Sequence, residues 1–470
     1  MQESGDIEVP LVEQWDIGGD LASPVLAQGL ASALQTAFVI LSIYMGLGML
    51  SQPYALRVGG WASLTFLISA GALFLGSAVM VSRACELLPP GHEQNYSGLG
   101  HAVWGSRGRV LVSIIAGMEL LGGAIIATAV MFEQFEILLP DKGIFGLSPF
   151  SAAIVLTSCC LYPALTLPDV AHVAPLSAAG SVAASSVAVA VISLLFIDFQ
   201  RAKIPRQPPA QHAFARWPGM LQSLGIFAVS MSGHSTLPAL RVGMQQPTKF
   251  LKAFIGAFIT MIAIYASVAA SGYYYWGEDS TPVVTYDLAK NSPFSRHSGK
   301  RHPSWLDWIA IDDFLAFMVL ITCSAKVPAL TMVLSDLISG LLHTSDSSAS
   351  LADADDLQVV ASGAQTQRLQ GWKEFRRRRR QLTYRVLLCT VSLGGAILAK
   401  DSLGDLLSLI GGGCSMATSL ILPTAFYSKL SWHDHSFHGK LILRTLLIFG
   451  LILLLLVGGI DLNSLWHKMQ

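Results

Sequence analysis

Long apolar runs separated by short polar segments dominate the chain. A bilayer core of about 30 Å needs roughly 20 apolar residues per helix. On that rule the pattern predicts eleven membrane spans, near 32–57, 61–87, 109–138, 149–167, 173–197, 218–240, 250–276, 308–341, 383–399, 403–428 and 440–460. Between the second and third, SGLGHAVW (Ser97 to Trp104) is too short and too polar to cross, and it reads as an interfacial helix. Two connections are long. Gly277 to Trp305 is polar, while 343–380 begins Ser/Ala/Asp-rich, ends in the arginine run Arg376 to Arg380, and is expected to be a disordered loop that fixes topology. Ahead of the spans, residues 1–30 carry Glu3, Asp6, Glu8, Glu13, Asp16 and Asp20 without a basic partner, as in a disordered acidic tail. The membrane domain is then 31–464.

Two spans are interrupted. The first holds GLGMLSQP, with Gly46, Gly48 and Pro53 near its midpoint, where backbone hydrogen bonds should be satisfied internally. The sixth repeats the event with Ser232-Gly233-His234-Ser235-Thr236-Leu237-Pro238. Gly48 to Pro53 and Gly233 to Pro238 share one spacing, five spans apart, and an odd number of crossings reverses the second helix. That is the mark of an inverted repeat, whose site lies at the midplane where irregular backbone lines a cavity. Freed amides at such a break suit a carboxylate, and freed carbonyls suit an ammonium group or a cation. An α-amino acid carries both groups. The alternative is that these Gly and Pro residues only allow close helix packing.

Composition removes other classes. With 52% hydrophobic and 13% charged residues and a mean hydropathy of +0.54, the chain is far from the roughly 25% charged residues of soluble domains. Thirty Lys+Arg balance thirty Asp+Glu, and the one basic cluster lies between spans, which argues against nucleic-acid binding. The six cysteines fall in or at the ends of apolar runs and read as small core residues, not as a disulfide framework. The first basic residue is Arg57, so no cleavable signal peptide is expected and the first span acts as its own targeting signal. An odd span count puts the termini on opposite sides. The Lys/Arg bias favours a cytoplasmic amino terminus and rests on the 343–380 loop, so the Asn95-Tyr96-Ser97 sequon should stay unmodified. No GxxxxGK[ST] occurs, which argues against an ATP-driven pump. The only His and carboxylate cluster, Trp432-His433-Asp434-His435, reads as a solvated loop. Neither a metal, a cofactor nor an enzyme activity is expected.

SIYMGLGMLSQPYALRVGGW (Ser42 to Trp61), GHSTLPALRVGMQQP (Gly233 to Pro247) and LLSLIGGGCSMATSLILP (Leu406 to Pro423) resemble signature regions of the amino acid/auxin permease family. The nearest branch is the one with vacuolar and vesicular amino acid transporters. The likeness extends through the interfacial helix and through YYYWGEDSTPVV (Tyr273 to Val284), from about residue 30 to 430. It implies a five-plus-five inverted repeat with broken helices 1 and 6, an appended eleventh helix, and secondary-active, usually proton-coupled, amino acid transport. Motif positions carried over are Gly46, Gly48, Leu50, Ser51 and Pro53 in span 1, and Gly233, His234 and Pro238 in span 6. Ser42 stands where relatives often have Asn, which weakens the case for a sodium site. Gln246 replaces an acidic residue, and Ile126 replaces a second carboxylate in span 3.

Individual side chains add candidates. His234 has the residue type for a proton-linked step, with a carbonyl-bonded packing role as the alternative. Tyr44, Tyr162, Ser232 and Thr322 are polar groups that either line a site or pack. Glu119 and Lys326 lie near the midplane, about 15 and 18 Å into their spans at 1.5 Å per residue. A charge at that depth costs a few kcal/mol unless paired, neutralised or solvated. They are expected to carry coupling, with Lys326 as the positive charge and Glu119 as its partner or as the proton carrier; an ion pair that only locks two helices is the alternative. The whole pattern points to alternating-access transport of small neutral amino acids with protons, in a vacuolar or other endomembrane or else the plasma membrane. A passive channel and an amino-acid-sensing transceptor fit the same fold.

Overall fold

The computed structural model describes residues 32–89, 92–140, 142–167, 170–200, 210–217, 219–291, 311–343 and 363–469. The expected acidic tail, 1–30, and the 344–362 part of the long loop lie outside the described residues. The fold is all-α. Among the described residues, eight helical stretches are long and apolar enough to cross a membrane. The expected first and sixth spans are not among them because each is interrupted, and the ninth and tenth run together as Arg378–Leu430.

The first span divides into α1 (Ala33–Tyr44), α2 (Leu47–Leu50) and α3 (Gln52–Gly59). A capping box starts it: Gln35 N donates to Ser32 Oγ at 3.2 Å and Ser32 N donates to Gln35 Oε1 at 2.8 Å. After α4 (Ser63–Glu86) comes α5 (Tyr96–Leu138), which bends at Gly105, where φ is 66° and ψ −155°. The residue that allows this left-handed backbone is glycine. The bend separates the expected interfacial segment from the third span.

Next come α6 (Pro149–Cys160), α7 (Tyr162–Thr166) and α8 (Val170–Gln200). The sixth span divides into α9 (Gly219–Ser230), a short 3-10 turn (His234–Thr236) and α10 (Leu237–Val242). They are followed by α11 (Phe250–Trp276), α12 (Val284–Asn291) and α13 (Ile311–His343). Then α14 covers Gly363–Ala399. This corrects the expectation for the loop: over 363–380 the chain is helical, continuous with span 9. Gln, Lys and Arg are good helix formers, and the stretch has no proline to stop it. The tenth span is α15 (Leu403–Ile410), π-helical turns over Gly411–Ser415 and Ala417–Ile421, and α16 (Leu422–Leu430). The last helix, α17 (Phe437–Met469), runs past the expected boundary at 464.

Packing sorts these helices into two groups. In one, α5 and α13 lie against each other, with α8 against α13 and α14 against α5; in the other, α1, α3, α4 and α9 gather around α11 and each other. The tenth span bridges them, touching α4, α5, α9 and α17.

Candidate functional site

The two interrupted segments meet. In α1 the helix stops before Gly46, whose backbone is extended (φ 166°, ψ −123°). Carbonyls in the last turn thereby lose their amide partners, and side chains take them. Lys326 Nζ, on α13, donates to the Ile43 carbonyl at 3.2 Å. The Tyr265 hydroxyl, on α11, lies 2.6 Å from the Tyr44 carbonyl and 3.1 Å from the Ser230 carbonyl at the end of α9. One group therefore addresses both interruptions, although its single proton serves one carbonyl at a time. Lys326 fits because Gly46 has no side chain: a Cβ there would run into Nζ and Cε. Its ammonium also meets the negative end of the α1 dipole.

Gly48 itself is helical, so the break lies at Met45 and Gly46 and not at Gly48. Gly48 is needed for another reason. A Cβ on it would collide with the Cα and Cβ of Ser230, so the broken segments cross there backbone to backbone. Gln52 ties the crossing, its Nε2 donating to the Gly48 carbonyl at 2.7 Å and to Ser230 Oγ at 2.9 Å. Gly233 does break its helix, with φ 148° and ψ 8°, and the Tyr44 ring lies against it. Pro53 and Pro238 are each the second residue of the resumed helix, α3 and α10, where a missing N–H is tolerated. Leu50 is buried in the core, and the Ser51 hydroxyl donates to the Pro282 carbonyl at 2.7 Å.

Glu119 is buried among polar groups. Thr418 Oγ1, in the π-helical part of span 10, donates to its Oε1 at 2.8 Å. Among the described residues, its Oε2 has no hydrogen-bond partner, nor do the buried Tyr44 Oη and Ser415 Oγ. Tyr44, Ser232 and Ser415 lie close enough to interact with the Glu119 carboxyl, and Ser232 Oγ donates to the Val229 carbonyl at 2.9 Å. The π-helical turns explain the contact: widening the helix displaces carbonyls, and Tyr96 and Ser77 donate to those of Thr418 and Ser419.

The structure does not bring Glu119 and Lys326 together. Although α5 and α13 pack extensively, Glu119 reaches span 10 while Lys326 reaches the freed carbonyl of α1. The expected pairing is therefore corrected; each charge has found a hydrogen-bond partner on a different helix. His234 is fully buried against α4, its Nε2 2.9 Å from the Phe74 carbonyl and 3.1 Å from Ser77 Oγ. A carbonyl only accepts, so Nε2 carries the proton, and among the described residues Nδ1 has no hydrogen-bond partner. Thr322 donates to carbonyls of Gly180 and Met318 and so joins α13 to α8. Tyr162 is 63% exposed on the outer face, away from the crossing.

Sequence reasoning missed Tyr265, Gln52, Ser230 and Thr418. The one local signal was a hydroxyl or amide inside an otherwise apolar run; partners hundreds of residues away leave no further trace.

Residues 29–461 match the family described as transmembrane amino acid transporter protein. The chain belongs to that family. Its relatives include the amino acid transporter AVT1J of Arabidopsis thaliana, 25% identical over 94% of this chain and 92% of that protein. With AVT1B of the same plant it is 26% identical over 53% of this chain, and that match spans 46%, about half, of the relative. Among solved structures it resembles the inward-facing conformation of Mhp1, with a TM-score of 0.56 at 11% identity, covering 95% of this chain and 93% of that one. The closed conformation of Mhp1, described as a nucleobase-cation-symport-1 family transporter with bromovinylhydantoin bound, aligns with a TM-score of 0.51 at 9% identity over 95% of each chain. This member of the amino acid transporter family is thus an integral, multi-pass membrane protein with an all-α fold like that of Mhp1. The family it belongs to is one of transmembrane amino acid transporter proteins.

Proposed function

We propose that the chain is a secondary-active transporter of small neutral amino acids, coupled to protons and working by alternating access. The observation that carries this reading is the close crossing of Gly48 and Ser230, beside which both helices are interrupted, one at Met45 and Gly46 and the other at Gly233. Backbone at Gly46, Ser232 and Gly233, where the two helices are interrupted beside Gly48, would hold the substrate, amides toward its carboxylate and carbonyls toward its ammonium group. Lys326 supplies a fixed positive charge where a cation would otherwise serve the freed end of α1. Glu119 carries the proton, a role left open by its Oε2, which has no hydrogen-bond partner among the described residues. His234 is a secondary candidate, since among the described residues its Nδ1 has no hydrogen-bond partner.

The reading includes eleven crossings, with spans 1–5 and 6–10 as the inverted halves and span 11 appended, and a cytoplasmic amino terminus. It favours a vacuolar or other endomembrane, with the plasma membrane as the alternative, which imaging of the tagged chain decides. Uptake into proteoliposomes, measured for a panel of amino acids with and without an imposed pH gradient, tests the function. Accumulation driven by the gradient is the expected result. If no amino acid is taken up under any gradient, the reading fails.

A further inference from the structure

The long arginine-rich helix offers a surface that transport does not use. Along span 9, α14 has two faces. Its inner face buries Arg385, Leu388, Cys389, Ser392 and Ala396, and Arg385 donates to the Leu167 carbonyl at 2.6 Å. The opposite stripe is exposed at Thr383, Leu387, Val391, Gly394 and Leu398, at the three- and four-residue steps that keep one helix face in line. These side chains meet lipid tails if α14 crosses the bilayer. Continued toward the helix start by the same steps, that stripe reaches Arg380, Arg379 and Arg376, which are all exposed.

Depth matches as well. Leu382 is the first exposed apolar residue of the span. At 1.5 Å per residue, Arg380 and Arg379 lie about 3 and 4.5 Å beyond it, and Arg376 about 9 Å. The headgroup zone is roughly 5–7 Å thick on each side of the core, and flexible arginine stems cover the remaining distance. Guanidinium groups bind phosphate oxygens through paired N–H donors. Exposed Phe375, 59% accessible, places an aromatic ring at the same level.

We propose that Arg376, Arg379 and Arg380 form a binding surface for the phosphate groups of anionic lipids in the leaflet at this end of span 9. The occupant is lipid because the arginines prolong the stripe that faces the tails. An acidic peptide or nucleic acid would have no such continuity with the apolar face. The surface depends on the crossing of α14 and not on what the protein transports.

The test uses the full chain reconstituted in phosphatidylcholine bilayers containing spin-labelled phosphatidylserine or spin-labelled phosphatidylcholine. The motionally restricted fraction of each label reports lipid held at the protein. At low salt, the wild type should retain phosphatidylserine about threefold over phosphatidylcholine, and concentrated salt should reduce the preference. R376Q/R379Q/R380Q should abolish it, whereas R376K/R379K/R380K, which folds under the same constraints and keeps the charge, should retain most of it. Equal preference in the wild type and the glutamine variant, or none in either, overturns the proposal. So does loss of the preference on adding inorganic phosphate at constant ionic strength, which would mark a site for free phosphate.

Discussion

The hydroxyl of Tyr265 lies 2.6 Å from the backbone carbonyl of Tyr44, at the point where α1 stops, while standing 3.1 Å from the corresponding carbonyl of Ser230 in α9. A side chain from α11 thus joins the ends of two interrupted helices. It has one proton for two acceptors, so it donates to one of the two carbonyls at a time. Removing the hydroxyl leaves a buried carbonyl without a donor, at a cost of about 1–3 kcal/mol. Tyr265→Phe should insert and fold, yet lower the maximal uptake rate by about tenfold, equivalent to about 1.4 kcal/mol on the barrier, while KM changes less than about twofold. Uptake kinetics in proteoliposomes check this. A change confined to KM would place the hydroxyl at the substrate instead.

The crossing itself predicts a second outcome. Gly48→Val would drive a branched side chain into the backbone of Ser230, and Gly233→Val would force a β-branched residue to φ 148°. Both should cut transport by at least about tenfold while the protein still reaches the membrane, as judged by size-exclusion profiles of the tagged chain. Transport that survives both changes would show that the interruptions serve packing alone.

The helix interruptions were legible because glycine and proline act on their own backbone, so their effect needs no partner. Pro53 and Pro238 mark the resumed helices in structure as in sequence. The register was only partly legible: Gly46 and Gly48 sit two residues apart, and which one breaks the helix and which one makes room for Ser230 depends on a helix from the other half of the chain. The same limit hides Tyr265 and the contact of Lys326 with Ile43, a separation of 283 residues. Apolar periodicity located the spans but could not distinguish α-helical from π-helical turns at Gly411–Ser415, since both leave a continuous apolar run. Low hydropathy at Arg376 to Arg380 was mistaken for disorder, although a charged helix projecting from the membrane has the same composition.

The connection after α11 should respond to pH. Asp287, in α12, is buried and accepts the Thr281 amide at 3.0 and 2.9 Å. Burial, the largest influence, raises its pKa from 3.8 to about 7 against the opposing effects of the Thr281 hydrogen bonds and Arg57. With the folded value above the unfolded one, the contribution to stability is full below about pH 4 and is lost as pH rises through about 7. Hydrogen exchange of the Thr281 amide, corrected for intrinsic rate, should therefore show less protection at pH 8 than at pH 5. Asp287→Asn should flatten that difference. An unchanged pH dependence in the variant would assign it to another group.

Glu119 and Lys326 should act independently, since Thr418 holds one and the Ile43 carbonyl holds the other. Glu119→Gln keeps the shape of the side chain but cannot release a proton, and Lys326→Ala removes the charge at the end of α1. Each change should weaken, without abolishing, the drive an imposed pH gradient gives to uptake, while sparing exchange of substrate across the membrane. In a direct ion pair, the second mutation would matter little once the first had removed the partner. Separate sites predict instead that the losses in gradient-driven uptake, expressed as free energies, add within about 0.5 kcal/mol in the double mutant. Measuring all three variants in parallel distinguishes the cases. A coupling energy well above that bound would mean the two charges meet in another state of the transport cycle, and undiminished gradient-driven accumulation in both single mutants would remove both residues from the coupling step.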